Sequence, residues 1–109
     1  MKVFAETNKL SKALASQKKL LKEFGRNRAH KIQARITEFK AANDLSEISY
    51  LPPARLHELS GNRKGYFAVD ISGNWRIVFK ALDRNSHFTT VKEDAVAVYI
   101  KEVVDYHGN

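Results

Sequence analysis

Cysteine is absent from this 109-residue chain, which excludes a disulfide framework and a thiolate metal site and leaves the compartment unmarked by redox chemistry. Long apolar runs are lacking too, and nothing approaches the roughly 18 residues of a membrane span. Only Val3-Phe4-Ala5 separates Met1-Lys2 from Glu6, far short of the apolar core of a secretory signal. The expectation is a soluble cytoplasmic protein with no membrane partner. A length of 109 residues predicts one domain, residues 1–109, with a real but modest core and no second unit.

Acidic residues are scarce where basic ones abound. Residues 1–43 hold eleven Lys/Arg against three Asp/Glu, and residues 44–109 hold eight against nine, so the net charge of +7 lies almost wholly in the N-terminal part. Lysine and arginine are good helix formers, and any single one needs no further purpose. Eleven against three points to a polyanionic partner.

Leu10, Leu14, Leu21 and Phe24 recur at helical spacing, with Ala13 and Leu20 widening the stripe and Lys9, Lys12, Lys18, Lys19 and Lys22 elsewhere. This predicts one amphipathic helix over residues 9–24, capped by Thr7 or Asn8 and ended by a left-handed Gly25. Asn27 caps a second helix, whose stripe runs through Ala29, Ile32, Ile36 and Phe39. A linker of about three residues makes the pair an antiparallel hairpin. Before it, Lys2-Val3-Phe4-Ala5 reads as a short strand. Asn43-Asp44 and Pro52-Pro53 mark a turn and an extended crossover.

Beyond the crossover the period changes to two. Phe67, Val69 and Ile71 alternate with Tyr66, Ala68 and Asp70; Ser72-Gly73-Asn74 signals a turn; Trp75, Ile77 and Phe79 alternate with Arg76, Val78 and Lys80. A β-hairpin with one apolar face follows. After a polar segment, residues 82–94, Val96, Val98 and Ile100 alternate with Ala97, Tyr99 and Lys101 as a last strand. The expected fold is α+β: a small antiparallel or mixed sheet with both helices on its apolar face, Trp75 and Phe79 in the core. The other face carries Tyr66, Arg76, Lys80, Tyr99 and Lys101. Cations among aromatics suit nucleic acid, although any half-buried sheet shows polar residues to water, which alone accounts for Lys80 and Lys101.

RNA is cut without a metal when its own 2′-hydroxyl attacks the adjacent phosphorus. The protein must deprotonate that hydroxyl, neutralise charge on the phosphoryl oxygens and protonate the leaving 5′-oxygen. Histidine suits the proton transfers, and arginine's planar fork suits the phosphate. His57, His107, Arg63 and Arg76 supply these types. A lone histidine is more often a surface or satisfied residue than a catalyst, and His30 and His87 are assigned to that class. Four dispersed histidines without cysteine show no metal-ligand spacing, so no metal or other cofactor is expected. Tyr106, near a chain end, is open to either reading.

The order of a helical hairpin, then Leu56-His57-Glu58-Leu59-Ser60-Gly61-Asn62-Arg63-Lys64-Gly65-Tyr66, then Gly73-Asn74-Trp75-Arg76-Ile77-Val78-Phe79, and finally Asp105-Tyr106-His107, resembles the HigB killer proteins of bacterial toxin-antitoxin modules, within the RelE/ParE superfamily. The resemblance covers nearly the whole chain. It implies a RelE-like fold and a ribosome-dependent messenger RNA endoribonuclease that inhibits translation. The active-site assignment passes to His57, Tyr106 and His107, and phosphate contact to Arg63 and Arg76, Arg76 having a structural part as well. His107 is expected to transfer protons while His57 and Tyr106 orient and stabilise. Where some HigB proteins carry a lysine three residues after the first histidine, this chain has Ser60, and two alternatives follow: Lys64 replaces that charge from the neighbouring turn, or the activity is weaker or differently tuned.

The basic hairpin, through Lys18, Lys19, Lys22, Arg26 and Arg28, is then expected to dock on ribosomal RNA of the 70S ribosome, with Lys64 and Lys80 as further RNA contacts. The resemblance also implies an antitoxin of the helix-turn-helix HigA type, through which operator DNA is bound. Two alternatives share the sequence features: a ParE-like gyrase poison, with the same fold but no need of a proton-transfer pair, and a non-catalytic RNA-binding module, for which basic charge suffices.

Overall fold

The computed structural model describes residues 1–106. Its elements are β1 (Lys2–Ala5), α1 (Asn8–Leu14), α2 (Gln17–Ala41), β2 (His57–Glu58), β3 (Phe67–Asp70), β4 (Trp75–Leu82), β5 (Phe88–Thr89) and β6 (Ala97–Asp105), with 3-10 turns at Leu45–Glu47, Gly61–Arg63 and Lys92–Asp94. No helix among the described residues is long and apolar enough to cross a membrane.

Thr7 caps α1, its hydroxyl accepting from the Leu10 amide at 3.1 Å. The helix expected over residues 9–24 does not run unbroken, because Ser16 turns extended and its hydroxyl accepts from the Lys19 amide, starting a new helix. A serine side chain offers the backbone an alternative to the helical ladder. A second break falls at Gly25, with φ 80° and ψ 166°. This is an extended positive-φ conformation rather than the left-handed one expected, and only glycine takes it without strain. Gly25 alone replaces the expected linker, and Asn27 lies inside the following helical arm instead of capping it. The two arms, residues 17–24 and 26–41, fold back on each other, with Gln17 and Leu21 facing Ala29 and Gln33 across a groove. The hairpin is therefore present, hinged on one residue.

The sheet has the order β1–β6–β4–β3–β2, with β5 pairing the end of β4. β1 runs parallel to β6 and the other pairs are antiparallel. Ser72-Gly73-Asn74 closes the β3–β4 hairpin as expected, the Trp75 amide donating to the Ser72 carbonyl at 2.9 Å. β6 runs on to Asp105, past the expected end near Lys101. Its alternation slips at a bulge: Phe79 pairs with Ile100 and Val78 with Glu102, leaving Lys101 as the extra residue.

The apolar helix stripe, Leu20, Phe24, Ala29, Ile32, Ile36 and Phe39, meets Phe67, Val69, Ile77, Phe79, Val98 and Ile100 of the sheet. Phe79 sits edge-on to Phe39 at 5.0 Å and stacks on Phe67 at 5.9 Å. Each such side chain contributes about 1.5–3 kcal/mol through burial. Trp75 packs half-buried at the margin, edge-on to Phe24 at 6.1 Å. All of this lies on one face of the sheet. On the other, the centre is a closed apolar floor made by the fully buried Ala68 and Val78, and larger polar and aromatic side chains stand around it.

Candidate active site

Directly paired residues share a face of a sheet. His57 pairs with Ala68, Ala68 with Val78 and Val78 with Glu102; Asp70 pairs with Arg76 and Arg76 with Val104. These registers bring His57, Asp70, Arg76 and Glu102 onto the face that the helices leave uncovered. Tyr106 continues the alternation of β6, its amide donating to the Asn74 carbonyl at 2.9 Å.

His57 is half-buried, with Nδ1 2.8 Å from the carbonyl oxygen of Arg55. A carbonyl only accepts, so Nδ1 carries a proton and Nε2 is the ring nitrogen turned away from the Arg55 backbone. Arg76 Nη1 lies 3.5 Å from that Nε2. The Arg76 guanidinium also rests 4.2 Å from the centre of the Tyr106 ring, and its Nε stands 3.9 Å from Asp70 Oδ1.

Asp70 is held in turn by Arg55, whose Nε donates at 2.6 Å and Nη2 at 3.2 Å. That hydrogen-bonded carboxylate raises the Arg55 pKa above the ordinary arginine value. Arg55 thus acts twice, its carbonyl fixing the His57 tautomer and its guanidinium fixing the carboxylate beside Arg76.

Arg63 donates from Nη2 to Glu102 Oε1 at 3.0 Å, and its guanidinium also lies at the Tyr106 ring, 5.6 Å from the centre. The bond to Glu102 raises its pKa too. Arg63 Nη1 is buried with no hydrogen-bond partner among the described residues. A cleft of about 330 Å³ opens here, lined by Ser60, Asn62, Arg63, Val104, Asp105 and Tyr106.

Four of the residues expected at the site, His57, Arg63, Arg76 and Tyr106, therefore converge, while His107 lies outside the described residues. Ser60 borders the cleft and Lys64 is exposed on the neighbouring turn. Lys80 shares the face, its Nζ 4.7 Å from the Tyr66 ring and 4.5 Å from that of Phe88. Lys18, Lys19, Lys22 and Arg26 are exposed on the helical layer, away from this face. Arg28 is placed otherwise: its Nε donates to the Phe24 carbonyl at 3.1 Å and its guanidinium covers the Trp75 ring at 4.7 Å, clamping the break at Gly25.

Sequence reasoning missed Arg55, Asp70 and Glu102. Asp70 was within reach, because a turn centred on Gly73 sets it directly opposite Arg76. Nothing in the pattern around Pro52-Pro53 signals Arg55, and the bulge at Lys101 hides the phase that turns Glu102 to this face.

The family described as RelE-like toxin of type II toxin-antitoxin system HigB matches residues 7–107 of the chain. The Endoribonuclease HigB of Proteus vulgaris is 27% identical over 77 residues, 71% of this chain and 70% of that protein. In fold, the chain is similar to a YoeB/ParE toxin from Agrobacterium tumefaciens, with a TM-score of 0.62, 12% identity and coverage of 98% of this chain and 100% of that one.

Proposed function

The chain belongs to the HigB-like family of RelE-like toxins of type II toxin-antitoxin systems, and on that premise we propose that it is an endoribonuclease cutting messenger RNA on the translating ribosome. The observation that carries the reading is the convergence of two guanidiniums on the Tyr106 ring, one of them beside an oriented imidazole. The Proteus vulgaris relative, named as an endoribonuclease, supports the same reaction class.

In this mechanism the substrate's 2′-oxygen forms a bond to phosphorus as the bond to the 5′-oxygen breaks. The hydroxyl proton leaves to a base and a proton reaches the 5′-oxygen from an acid, giving a 2′,3′-cyclic phosphate and a 5′-hydroxyl. Arg76 and Arg63 neutralise the growing charge on the phosphoryl oxygens, as preorganised donors do. His57 Nε2 accepts from the 2′-hydroxyl and orients it, Tyr106 holds both guanidiniums in place, and His107, next in the chain, transfers the proton.

The exposed Lys18, Lys19, Lys22 and Arg26 supply a sequence-independent contact to ribosomal RNA phosphates. A type II toxin is restrained by an antitoxin; here the proposed partner is a helix-turn-helix protein that carries the pair to operator DNA. Mapping product ends tests the chemistry. Cyclic phosphate and 5′-hydroxyl ends are expected; 5′-phosphate ends would overturn the mechanism, and intact message with inhibited gyrase supercoiling would replace the ribonuclease by a gyrase poison.

A further inference from the structure

Arg76, Val78 and Lys80 are successive outward residues of β4, so the open face continues past the proposed cleavage centre for about 13 Å to Lys80. There the surface changes character. Tyr99 pairs with Lys80 across the sheet, and Phe4 pairs with Tyr99. Phe88, on the two-residue strand β5, lies 6.2 Å from Tyr99 between ring centres and is 56% exposed, while Phe4 is 47% exposed. Large aromatics so exposed at sheet margins contribute little to the core. Among them the Lys80 ammonium is held over two rings, Tyr66 and Phe88, and no carboxylate among the described residues is paired with it. Lys101 reaches the Tyr66 ring at 5.9 Å and pairs with Glu6 at 3.6 Å.

We propose that Phe88, Tyr99 and Lys80 form a second subsite that holds a nucleotide of the same single-stranded RNA, remote from the scissile phosphate. Every base has a π-face to stack on an exposed ring, and an unpaired ammonium between rings meets the backbone phosphate beside it. Continuity with the arginines of the cleavage centre, on one uninterrupted sheet face, selects an RNA strand as occupant over a protein, for which an aliphatic patch without a central cation is the fitting surface. Asp83 in the adjoining loop turns its carboxylate into that loop, where Oδ1 accepts from the amides of Asn85 and His87. The subsite deepens the proposed ribonuclease reading and is independent of which residue moves the proton.

The test is fluorescence anisotropy with a 2′-O-methyl single-stranded RNA of a dozen nucleotides, which cannot be cleaved, against wild type, Phe88→Ala, Phe88→Tyr and Lys80→Gln. Phe88→Ala is expected to weaken binding about tenfold and Phe88→Tyr to restore it, with melting temperatures unchanged. Lys80→Gln should lower the salt dependence by roughly 0.7 of a logarithmic unit per decade of salt, the value for one phosphate on a single strand. Wild-type affinity and salt slope in both Phe88→Ala and Lys80→Gln would overturn the subsite even if the protein cuts RNA, as would loss only of antitoxin binding in those variants. Phe88-dependent binding by a protein that cuts no RNA would keep the subsite and discard the ribonuclease.

Discussion

Asp70→Asn keeps the shape of the side chain and removes its charge, so it isolates the carboxylate that organises the site. In the wild type Asp70 accepts two charge-assisted hydrogen bonds from Arg55, at 2.6 and 3.2 Å, and faces Arg76 Nε at 3.9 Å. Buried bonds of this kind are worth about 1.5–3 kcal/mol and exposed ion pairs at most about 1. With the Arg55 and Asp70 side chains 43% and 24% exposed, screening brings the expected loss to about 1 kcal/mol. That corresponds to a melting point lower by about 5 °C for a chain of this size. Activity should suffer more. Arg76 and Arg55 then repel each other without a counter-charge, and an ångström of misplacement at a phosphate-binding group costs up to about a hundredfold in rate. Single-turnover cleavage on programmed ribosomes is expected to fall ten- to a hundredfold, with ribosome affinity unchanged. Nitrogen-15 spectra of His57 should show the Nδ1–H form weakened as Arg55 loosens. A variant that cleaved at the wild-type rate with the wild-type His57 spectrum would refute the network.

Four further outcomes follow from other parts of the molecule. Phe79→Ala, emptying the stacked centre of the core, should lower stability by about 3–5 kcal/mol in urea unfolding; a loss under 1 kcal/mol would mean the core closes differently. Gly25→Ala has open space for its methyl group but a φ of 80°, so it should cost about 1–3 kcal/mol through backbone strain alone, and an unchanged unfolding midpoint would contradict the hinge. The amides of His87, first, and Asn85 hold Asp83 below the ordinary carboxylate range. A depressed folded pKa stabilises above the unfolded value and is lost as pH falls through the folded one, so loop 83–88 should keep its amide protection down to about pH 4 and lose it below; protection persisting at pH 2 would refute this. Replacing Lys18, Lys19 and Lys22 together by glutamate should weaken ribosome association and flatten its salt dependence, measured by co-sedimentation, and wild-type affinity would place the helices elsewhere in the complex.

The legible parts of the fold are those where one local rule decides the outcome. The alternation around Ser72-Gly73-Asn74 set the β3–β4 register, and the stripe Ala29, Ile32, Ile36 and Phe39 matched the buried face of the second helical arm. Competition between rules hid the rest. At Ser16 a capping hydroxyl defeats an apolar stripe that continues straight through it, and at Lys101 a bulge shifts the strand's phase, so Glu102 and Val104 turn outward against the sequence pattern. The site divides likewise. His57, Arg63 and Arg76 stand in one contiguous motif, whereas the arrival of Tyr106 beside the two arginines depends on β6 reaching its full length beside β4. Arg55 enters through its backbone carbonyl, an atom every residue carries, and no side-chain pattern announces that.

The most direct test of the central claim is messenger RNA cleavage in a purified translation system, with and without ribosomes, for wild type, His57→Gln and His107→Gln, each checked for folding. Cleavage by the wild type that requires ribosomes and falls at least a hundredfold in His107→Gln is the predicted result; message left intact by the wild type, or cut equally by all three proteins, would contradict it.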